Sequence, residues 1–290
     1  MKHLIVIGGP TASGKTALAI EVARHYGTEI ISADSRQFYR ELAIGNARPR
    51  PEELAAVPHH FIADRLLQEP LSAGRFAEEA MARLQHLYTS RDVAVAVGGS
   101  GLYLRALCEG LDDFPAVSQE ARTQVETLYL EEGLPGLQRV LRTTDPDYFR
   151  RVDQHNPRRL QRALEVSLTA GRPYSSFLGQ RPTRPFRTHY FMPAVDRQVL
   201  YRRIEQRVDH MLGEGLEAEA LRLYPLRGLR ALETVGYQEW WPYFEGSYDR
   251  DRAVDLIKRN SRRYAKRQLN WFSDYPRVTG AAAVWLRMDA

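Results

Sequence analysis

A glycine-rich octapeptide near the N-terminus places the strongest constraint on how this chain folds. Residues 9–16 read Gly-Pro-Thr-Ala-Ser-Gly-Lys-Thr, which matches the P-loop pattern G-x-x-x-x-G-K-[ST]. A short apolar run at 4–7 precedes the loop, and a helix-forming segment at 17–23 follows it. The order strand, glycine loop, helix is the context that the motif requires. The sequence therefore predicts a site for a di- or triphosphate at the end of a buried strand.

The chemistry of this loop follows from its backbone. N–H groups of the loop and of the following helix terminus converge on an anion, and the ammonium of Lys15 adds a positive charge. Thr16 offers a hydroxyl to Mg²⁺, which is the cofactor expected here, with Thr16 as its protein ligand. The residues expected to hold the diphosphate are Gly9, Pro10, Thr11, Ala12, Ser13, Gly14, Lys15 and Thr16.

Bulk composition bounds the environment of the protein. The chain has 290 residues and a formal net charge of +5, which permits a nucleic-acid partner without establishing one. Its single cysteine, Cys108, excludes an internal disulfide and fits a reducing cytoplasm. No apolar run approaches transmembrane length. We expect a cytoplasmic protein with no membrane partner, and because nothing indicates an obligate partner, a monomer.

The pattern along the chain predicts an α/β fold, with a P-loop NTPase-like parallel sheet core and an inserted, mainly helical domain. The predicted core covers residues 1–112 and 188–290, and the predicted insert covers 113–187. Predicted strands lie at 4–7, 29–32, 60–63, 92–97, 189–195 and 284–287. Helices are predicted at 15–26, 75–88, 197–224 and 250–273, with three more in the insert that begin at Ser118, Asp145 and Asn156. Residues 45–58 and 172–187 contain three prolines each and are interpreted as a loop and a linker.

Asp34 is the second informative residue. It follows the predicted strand at 29–32, so a parallel sheet places it beside the P-loop at the carboxyl ends of the strands. A carboxylate there serves as a general base or binds Mg²⁺. The alternative is an N-cap for a helix that begins at Ser35.

The strand at 92–97 is informative for what it lacks. It ends in Gly98-Gly99-Ser100-Gly101, where many P-loop NTPases carry the Walker B aspartate. This absence argues against an ATPase. The glycines let the backbone approach a ligand, and Ser100 can hydrogen-bond it. A tight strand-to-helix turn explains the same residues equally well.

Three sets of basic residues follow in the second half of the chain. Such faces suit the phosphates of RNA or of a phosphorylated substrate, although each set alone is also typical of a solvated helix face. The aromatic residues near the last set, Tyr264, Trp271 and Phe272, are interpreted as core residues. The basic sets are Arg158, Arg159 and Arg162; Arg202, Arg203 and Arg207; and Lys258, Arg259, Arg262, Arg263, Lys266 and Arg267.

Taken together, these stretches resemble the bacterial tRNA dimethylallyltransferases, also called tRNA isopentenyltransferases. The P-loop is generic, but the series of motifs spans nearly the whole chain in the family's order. Asn46 and Arg48 replace the Thr and Lys of the family's Ile-Gly-Thr-Ala-Lys-Pro, and Ser100 replaces the usual Thr. The similar stretches are 9–16, 31–39, 44–49, 98–103, 156–166, 196–211, 236–239 and 265–268.

The resemblance implies transfer of a dimethylallyl group from dimethylallyl diphosphate to N6 of the adenosine 3′ of the anticodon in tRNA. The P-loop would then hold an isoprenoid diphosphate rather than ATP. Asp34 would be the general base, and Lys15, Thr16, Mg²⁺ and Arg203 would stabilise the leaving diphosphate, with Ser100 also catalytic. The residues implied to contact the tRNA anticodon stem-loop are Asp34, Ser35, Arg36, Gln37, Ser100, Arg122, Arg158, Arg159, Leu160, Gln161, Arg162, Lys266 and Arg267.

Three alternatives share parts of this pattern. A small-molecule kinase would have the same P-loop, Lys15 and Thr16, but would have no need of the basic insert. An adenylate dimethylallyltransferase would perform the same chemistry on free AMP with a smaller insert. A non-enzymatic RNA-binding GTPase or ATPase should carry a Walker B acid and, for GTP, an Asn-Lys-x-Asp motif, and neither is present.

Overall fold

The computed structural model describes residues 1–279 and 283–287 of the chain. The chain divides into two compact units, the first formed by residues 1–108 together with residues from 184 onward, and the second by residues 109–183. The limits of the insert expected from the sequence, 113 and 187, each lie four residues further along the chain than those of the second unit.

A parallel sheet forms the centre of the first unit. Its strands are β1 (Lys2–Gly8), β2 (Ile30–Ser32), β3 (His59–His60), β4 (Val93–Gly98), β5 (Phe186–Ala194) and β6 (Ala283–Arg287). They lie in the order β3-β2-β4-β1-β5-β6, and every neighbouring pair is parallel. The predicted α/β class with a P-loop-type parallel sheet is confirmed.

The central strands β1 and β4 contain buried apolar runs because both faces of the sheet are covered. Leu4, Val6 and Ile7 of β1 are fully buried, and Ala94 and Val95 of β4 are buried beside them. The register pairs Leu4 with Ala94 and Ile7 with Val97, so the two strands end together. The segments that follow them therefore leave the same edge of the sheet.

The described part of the first unit contains eight α-helices. Ser72 caps α3 by accepting a hydrogen bond from the Arg75 N–H, and α1 stops before Gly27, whose φ of 58° is left-handed. In chain order the helices are α1 (Lys15–His25), α2 (Pro51–Ala56), α3 (Ala73–Leu87) and α4 (Gly101–Glu109), then, after the second unit, α8 (Arg197–Gly213), α9 (Leu216–Leu223), α10 (Trp241–Phe244) and α11 (Arg250–Thr279).

The second unit is helical, as the caps in the sequence predict. It contains α5 (Gln119–Thr144), α6 (Pro146–Phe149) and α7 (Pro157–Ala170). Gly133 interrupts α5 with a φ of 63°, and a further helical segment follows it within α5. Side chains of Ser118, Asp145 and Asn156 cap the three helices as predicted.

Three element predictions are wrong for local reasons. The loop at 45–58 contains α2, because Pro51 occupies its first turn and Glu53 accepts a hydrogen bond from the Arg50 N–H. The strand at 60–63 is only β3, since Phe61 has a left-handed φ of 64°. The helix at 197–224 divides into α8 and α9 at Gly215, whose φ is 98°. Among the described residues, no helix is both long enough and apolar enough to span a membrane.

A second hydrophobic cluster, distinct from the core under the sheet, lies in the first unit. Tyr237 and Trp240 are fully buried in it. The buried carboxylate of Glu219 accepts hydrogen bonds from the backbone N–H groups of Ala43, Ile44 and Gly45 and, at 2.6 Å, from the Tyr237 hydroxyl. This cluster fixes residues 43–48, which form one wall of the site described next.

Candidate active site

Three loops meet at one edge of the sheet because three neighbouring strands end there. The P-loop follows β1, Asp34 follows β2, and Gly99 follows β4, in the strand order β2-β4-β1. Together with α8 and α11 they line a cavity of about 1230 Å³. Residues 8–16 and 34 are thus brought together as the sequence predicts for the carboxyl edge of a parallel sheet.

The P-loop is held in shape by its own hydrogen bonds. Ala12 has a φ of 63°, a left-handed conformation that non-glycine residues rarely adopt outside strained functional loops. The Ser13 hydroxyl donates to the Pro10 carbonyl at 2.8 Å, and the Lys15 ammonium donates to the same carbonyl at 2.5 Å. The first turn of α1 therefore starts at Lys15 with unpaired N–H groups at the cavity.

Burial moves the two central charged groups toward their neutral forms. It lowers the pKa of Lys15 to about 8, an effect that Asp34 opposes and Arg207 reinforces. It raises the pKa of the Asp34 carboxyl, and the Arg36 N–H, which donates to Asp34 Oδ1 at 3.1 Å, and the Lys15 charge partly offset that rise. An ionised Asp34 in this position is a stronger base than a carboxylate in water.

Ser100 connects the end of β4 to the segment after β2. Its hydroxyl oxygen accepts a hydrogen bond from the Ser35 N–H at 3.0 Å and lies 3.2 Å from the Ser35 hydroxyl. The two strand ends approach so closely at this point that a Cβ on Gly98 would stand 2.3 Å from the Ala33 carbonyl oxygen. Gly98 and Ser100 thus have the structural role that the sequence left open, and Ser100 lies beside Asp34 through Ser35.

Arg207 of α8 contacts the P-loop. Its guanidinium donates to the Thr11 hydroxyl at 3.2 Å, and it lines the cavity. Arg203 lies one helical turn earlier on α8 and is not among the described residues that line the cavity, so its contact with the diphosphate stays a prediction. Both arginines belong to the same basic set, and spacing alone did not reveal which turn faces the P-loop.

Four residues of α11, Ile257, Ser261, Tyr264 and Gln268, line the cavity, and sequence reasoning assigned none of them to the site. Tyr264 lines the cavity, although it was expected in the core. Its side chain contacts Ser100, and the Arg267 guanidinium lies 5.7 Å from the centre of its ring. Gln268 is buried against the P-loop. Trp271 and Phe272 do pack in or against the core under the sheet, as expected.

A further wall of the cavity is formed by residues 43–48 and by α8. The Gln37 amide donates to the carbonyls of Asn46 and Ala47, so this predicted RNA contact also holds the wall in place. Ile44, Val208 and Met211 supply apolar surface to the cavity. The site therefore combines a P-loop with an apolar surface.

The residues implied to contact RNA differ in their exposure to solvent. Leu160 is fully buried in the core of the second unit, which corrects its expected role as an RNA contact. Ser35, Arg36, Gln37, Ser100 and Gln161 are half-buried. The exposed ones are Arg122, Arg158, Arg159, Arg162, Lys266 and Arg267.

Part of the last basic set is neutralised inside the first unit. Lys258 pairs with Asp209, and Arg262 pairs with Glu205, each with a nitrogen–oxygen distance of 2.5 Å. Both acidic residues lie on α8. These two residues of the basic set therefore have acidic partners within the unit. The acids lie about fifty residues away in the chain, so the packing of α8 against α11 was needed to reveal them.

The residues at the P-loop suit a magnesium ion that is carried by a diphosphate. Among the described residues, no group of three or more His, Cys, Asp or Glu side chains is arranged to hold a metal. Mg²⁺ typically keeps several waters and uses one or two protein oxygens together with substrate phosphates. The Thr16 hydroxyl and the Asp34 carboxylate, both at the cavity wall, are oxygen donors of this kind.

Comparison with known proteins identifies the family. The model of the IPP transferase family matches residues 37–275. The chain belongs to this family. The tRNA dimethylallyltransferase of Christiangramia forsetii is 49% identical over 288 residues, which cover 99% of this chain and 94% of the relative. That of Flavobacterium johnsoniae is 44% identical and covers 94% and 90%, respectively.

Solved structures of this IPP transferase family agree with the fold. The crystal structure of the tRNA isopentenylpyrophosphate transferase from Bacillus halodurans is 34% identical, with a TM-score of 0.70 over 99% of this chain and 90% of that one. A eukaryotic dimethylallyltransferase acting on tRNA has a TM-score of 0.84 at 24% identity, and it covers 98% of this chain and 74% of its own. At that identity it supports the fold alone. The resemblance inferred from the motifs is confirmed, and the chain is a prenyltransferase.

Proposed function

We propose that this IPP transferase family member transfers a dimethylallyl group from dimethylallyl diphosphate to N6 of the adenosine 3′ of the anticodon in tRNA. The observation that carries the proposal is one cavity that contains a P-loop, the half-buried carboxylate of Asp34 and apolar side chains, with no Walker B acid at the end of β4. The names of the relatives supply the tRNA substrate.

The proposed reaction is a substitution at the first carbon of the dimethylallyl group. The adenine N6 lone pair forms the new C–N bond, the bond from that carbon to the diphosphate oxygen breaks, and its electron pair leaves with the diphosphate. The Asp34 carboxylate accepts the proton that N6 loses. Because the amine is a weak nucleophile, orientation and stabilisation of the leaving group account for much of the rate.

Stabilisation of the leaving group is assigned to the P-loop and its neighbours. Lys15, the N–H groups at the start of α1 and Arg207 place positive charge where the diphosphate gains negative charge. Mg²⁺, when bound with Thr16 and the diphosphate, would supply further positive charge to the same oxygens. Arg207, which lines the cavity, joins Arg203 of the same helix in this role.

The apolar wall suits the five-carbon group, and the basic residues suit the RNA. Ile44, Val208 and Met211 can cover the dimethylallyl group and keep water from the reacting carbon. Arg122, Arg158, Arg159, Arg162, Lys266 and Arg267 are exposed cations suited to the phosphates of an anticodon stem-loop. The adenine would leave the loop stack to reach Asp34, which costs less from a loop than from a duplex. We place the enzyme in the cytoplasm as a monomer.

The test is incubation with labelled dimethylallyl diphosphate, Mg²⁺ and undermodified tRNA. We expect label in the tRNA with the unmodified chain and with the surface variant Arg139→Ala, and no label with Lys15→Ala. Label in AMP instead of tRNA would replace this proposal by a free-nucleotide enzyme. ATP hydrolysis without prenyl transfer would replace it by a kinase-type activity.

A further inference from the structure

The side chain of Gln268 joins the P-loop to the turn after β4. Its Oε1 accepts a hydrogen bond from the Thr11 N–H at 2.9 Å, and its Nε2 donates to the Gly99 carbonyl at 2.9 Å. Only 6% of the residue is exposed. We propose that Gln268 is a positioning residue that fixes the P-loop in its diphosphate-binding geometry through these two hydrogen bonds. This inference rests on the proposed function of the P-loop as the diphosphate site.

The first bond determines which N–H groups remain for an anion. Thr11 is held twice, by Gln268 at its backbone and by Arg207 at its hydroxyl. The N–H of Thr11 is therefore directed into the protein, while those at the start of α1 stay directed at the cavity. Without Gln268, the Thr11 N–H would be buried without a partner, and the loop would have to rearrange to satisfy it.

The second bond requires the glycine at position 99. A Cβ on Gly99 would stand 2.3 Å from Gln268 Nε2, so no other residue at this position leaves room for the amide. A glutamine amide suits both partners. Its oxygen accepts from the Thr11 N–H, and its NH₂ group donates to the Gly99 carbonyl. Methionine of similar length can make neither bond, and glutamate makes both only in its protonated form.

The helix that carries Gln268 is held at a fixed distance from both loops. Its aromatic side chains pack directly against two glycines near the strand ends. A Cβ added to Gly101 would stand 2.3 Å from the Trp271 ring, and one added to Gly8 would stand 2.6 Å from the Phe272 ring. Gln268 therefore reaches the P-loop from a rigid support, which is what a positioning residue needs.

The test measures binding of inorganic pyrophosphate, which depends on the P-loop and does not require prenyl transfer. Calorimetry from pH 5.5 to 8.5 would compare the unmodified chain with Gln268→Met, Gln268→Glu and the exposed-site control Asn270→Ala. We expect Gln268→Met to weaken binding at least tenfold at every pH and Asn270→Ala to leave it unchanged.

The Gln268→Glu variant provides the signature that a packing role would not give. When protonated, the glutamate donates to the Gly99 carbonyl and accepts from Thr11, so binding should lie near that of the unmodified chain at low pH. When ionised, it repels the Gly99 carbonyl, and binding should fall toward that of Gln268→Met as pH rises. Lys15 and Asp34 face the same loops and titrate in all variants, and the Arg207 guanidinium stays charged in all of them, so the ratio to the unmodified chain is the quantity compared.

Two outcomes would overturn the inference: unchanged pyrophosphate binding in Gln268→Met, or a Gln268→Glu ratio that does not change with pH. If Gln268→Met does not fold, the pH comparison within Gln268→Glu decides alone. A chain that does not bind pyrophosphate at all removes the P-loop role and this inference with it. A chain that binds pyrophosphate but does not prenylate tRNA removes the proposed function, while the Gln268 comparison still decides the inference.

Discussion

At the scale of single residues, the candidate site depends on two buried charges. Asp34 and Lys15 share one cavity, and burial raises the pKa of the first and lowers that of the second. The raised pKa makes Asp34 a better proton acceptor once it is ionised, and the lowered pKa confines the positive charge of Lys15 to a narrower pH range. Activity should therefore require Asp34 in its ionised form, which limits it at low pH, and Lys15 in its protonated form, which limits it at high pH.

Asp34→Asn should reduce turnover at least about 100-fold, because an amide cannot accept the N6 proton. Affinity for tRNA and for pyrophosphate should stay within about twofold, since the side chain keeps its size and its acceptor for the Arg36 N–H. Single-turnover kinetics with saturating tRNA would measure the chemical step. Unchanged turnover would remove Asp34 from the role of base.

The pH profile of kcat/KM for the diphosphate should be bell-shaped. Activity should rise as Asp34 ionises and fall again near pH 8, where Lys15 loses its proton. Lys15→Arg should abolish the alkaline fall, because a guanidinium stays charged throughout this range, although its bulk should lower the maximum. The same alkaline midpoint in Lys15→Arg would show that another group causes it.

At the scale of secondary-structure elements, short apolar strands and glycines bring the loops together, and α8 and α11 complete the cavity. The P-loop, Asp34 and Ser100 follow three adjacent strands, so their proximity was predictable from the parallel sheet. Arg207, Tyr264 and Gln268 come from α8 and α11, and no local pattern indicates which turn of these helices faces the P-loop. For that reason Arg207 was not singled out within its basic set, and Tyr264 was placed in the core.

Glu219→Gln tests how α9 supports the cavity wall. The carboxylate accepts hydrogen bonds from three consecutive backbone N–H groups and from the Tyr237 hydroxyl. The NH₂ group of a glutamine would instead face one of these donors and could not accept from it. We expect the free energy of unfolding to fall by about 3 kcal/mol.

Chemical denaturation would measure the change in the free energy of unfolding that Glu219→Gln causes. The matched control is Glu217→Gln on the same helix, whose partly exposed ion pair with Arg250 should contribute about 1 kcal/mol or less. Equal effects of the two substitutions would contradict the assigned role of Glu219.

At the scale of the whole molecule, the chain combines a unit that carries the P-loop with a helical unit that carries exposed arginines. The helical unit has its own core, which includes Leu160, while Arg158, Arg159 and Arg162 of the same helix point outward. This amphipathic pattern explains why the stretch 158–162 cannot act as one RNA-binding segment. Its basic residues can contact phosphates, and its apolar residue stabilises the unit.

Replacing Arg158, Arg159 and Arg162 together by alanine should lower the salt dependence of tRNA binding. Each arginine that neutralises a phosphate contributes about 0.7 to 0.9 to the slope of log K against log salt, so the slope should decrease by about 2. Filter-binding titrations over a range of salt would measure it. Arg139→Ala, which removes an exposed arginine already paired with Glu132, should leave the slope unchanged. An unchanged slope in the triple variant would exclude these arginines from the RNA surface.

The sequence by itself determined the phosphate loop, the parallel α/β class, the capped helices of the insert and the family. Each can be recognised from residues that are close together in the sequence, because glycine spacing, apolar runs and cap residues act within a few positions. Only the tertiary structure decided that Arg207 faces the P-loop, that Lys258 and Arg262 are neutralised by α8, and that Gln268 bonds to Thr11 and Gly99. These contacts join residues 49 to 257 positions apart, and their geometry depends on how α8 and α11 pack beside the sheet.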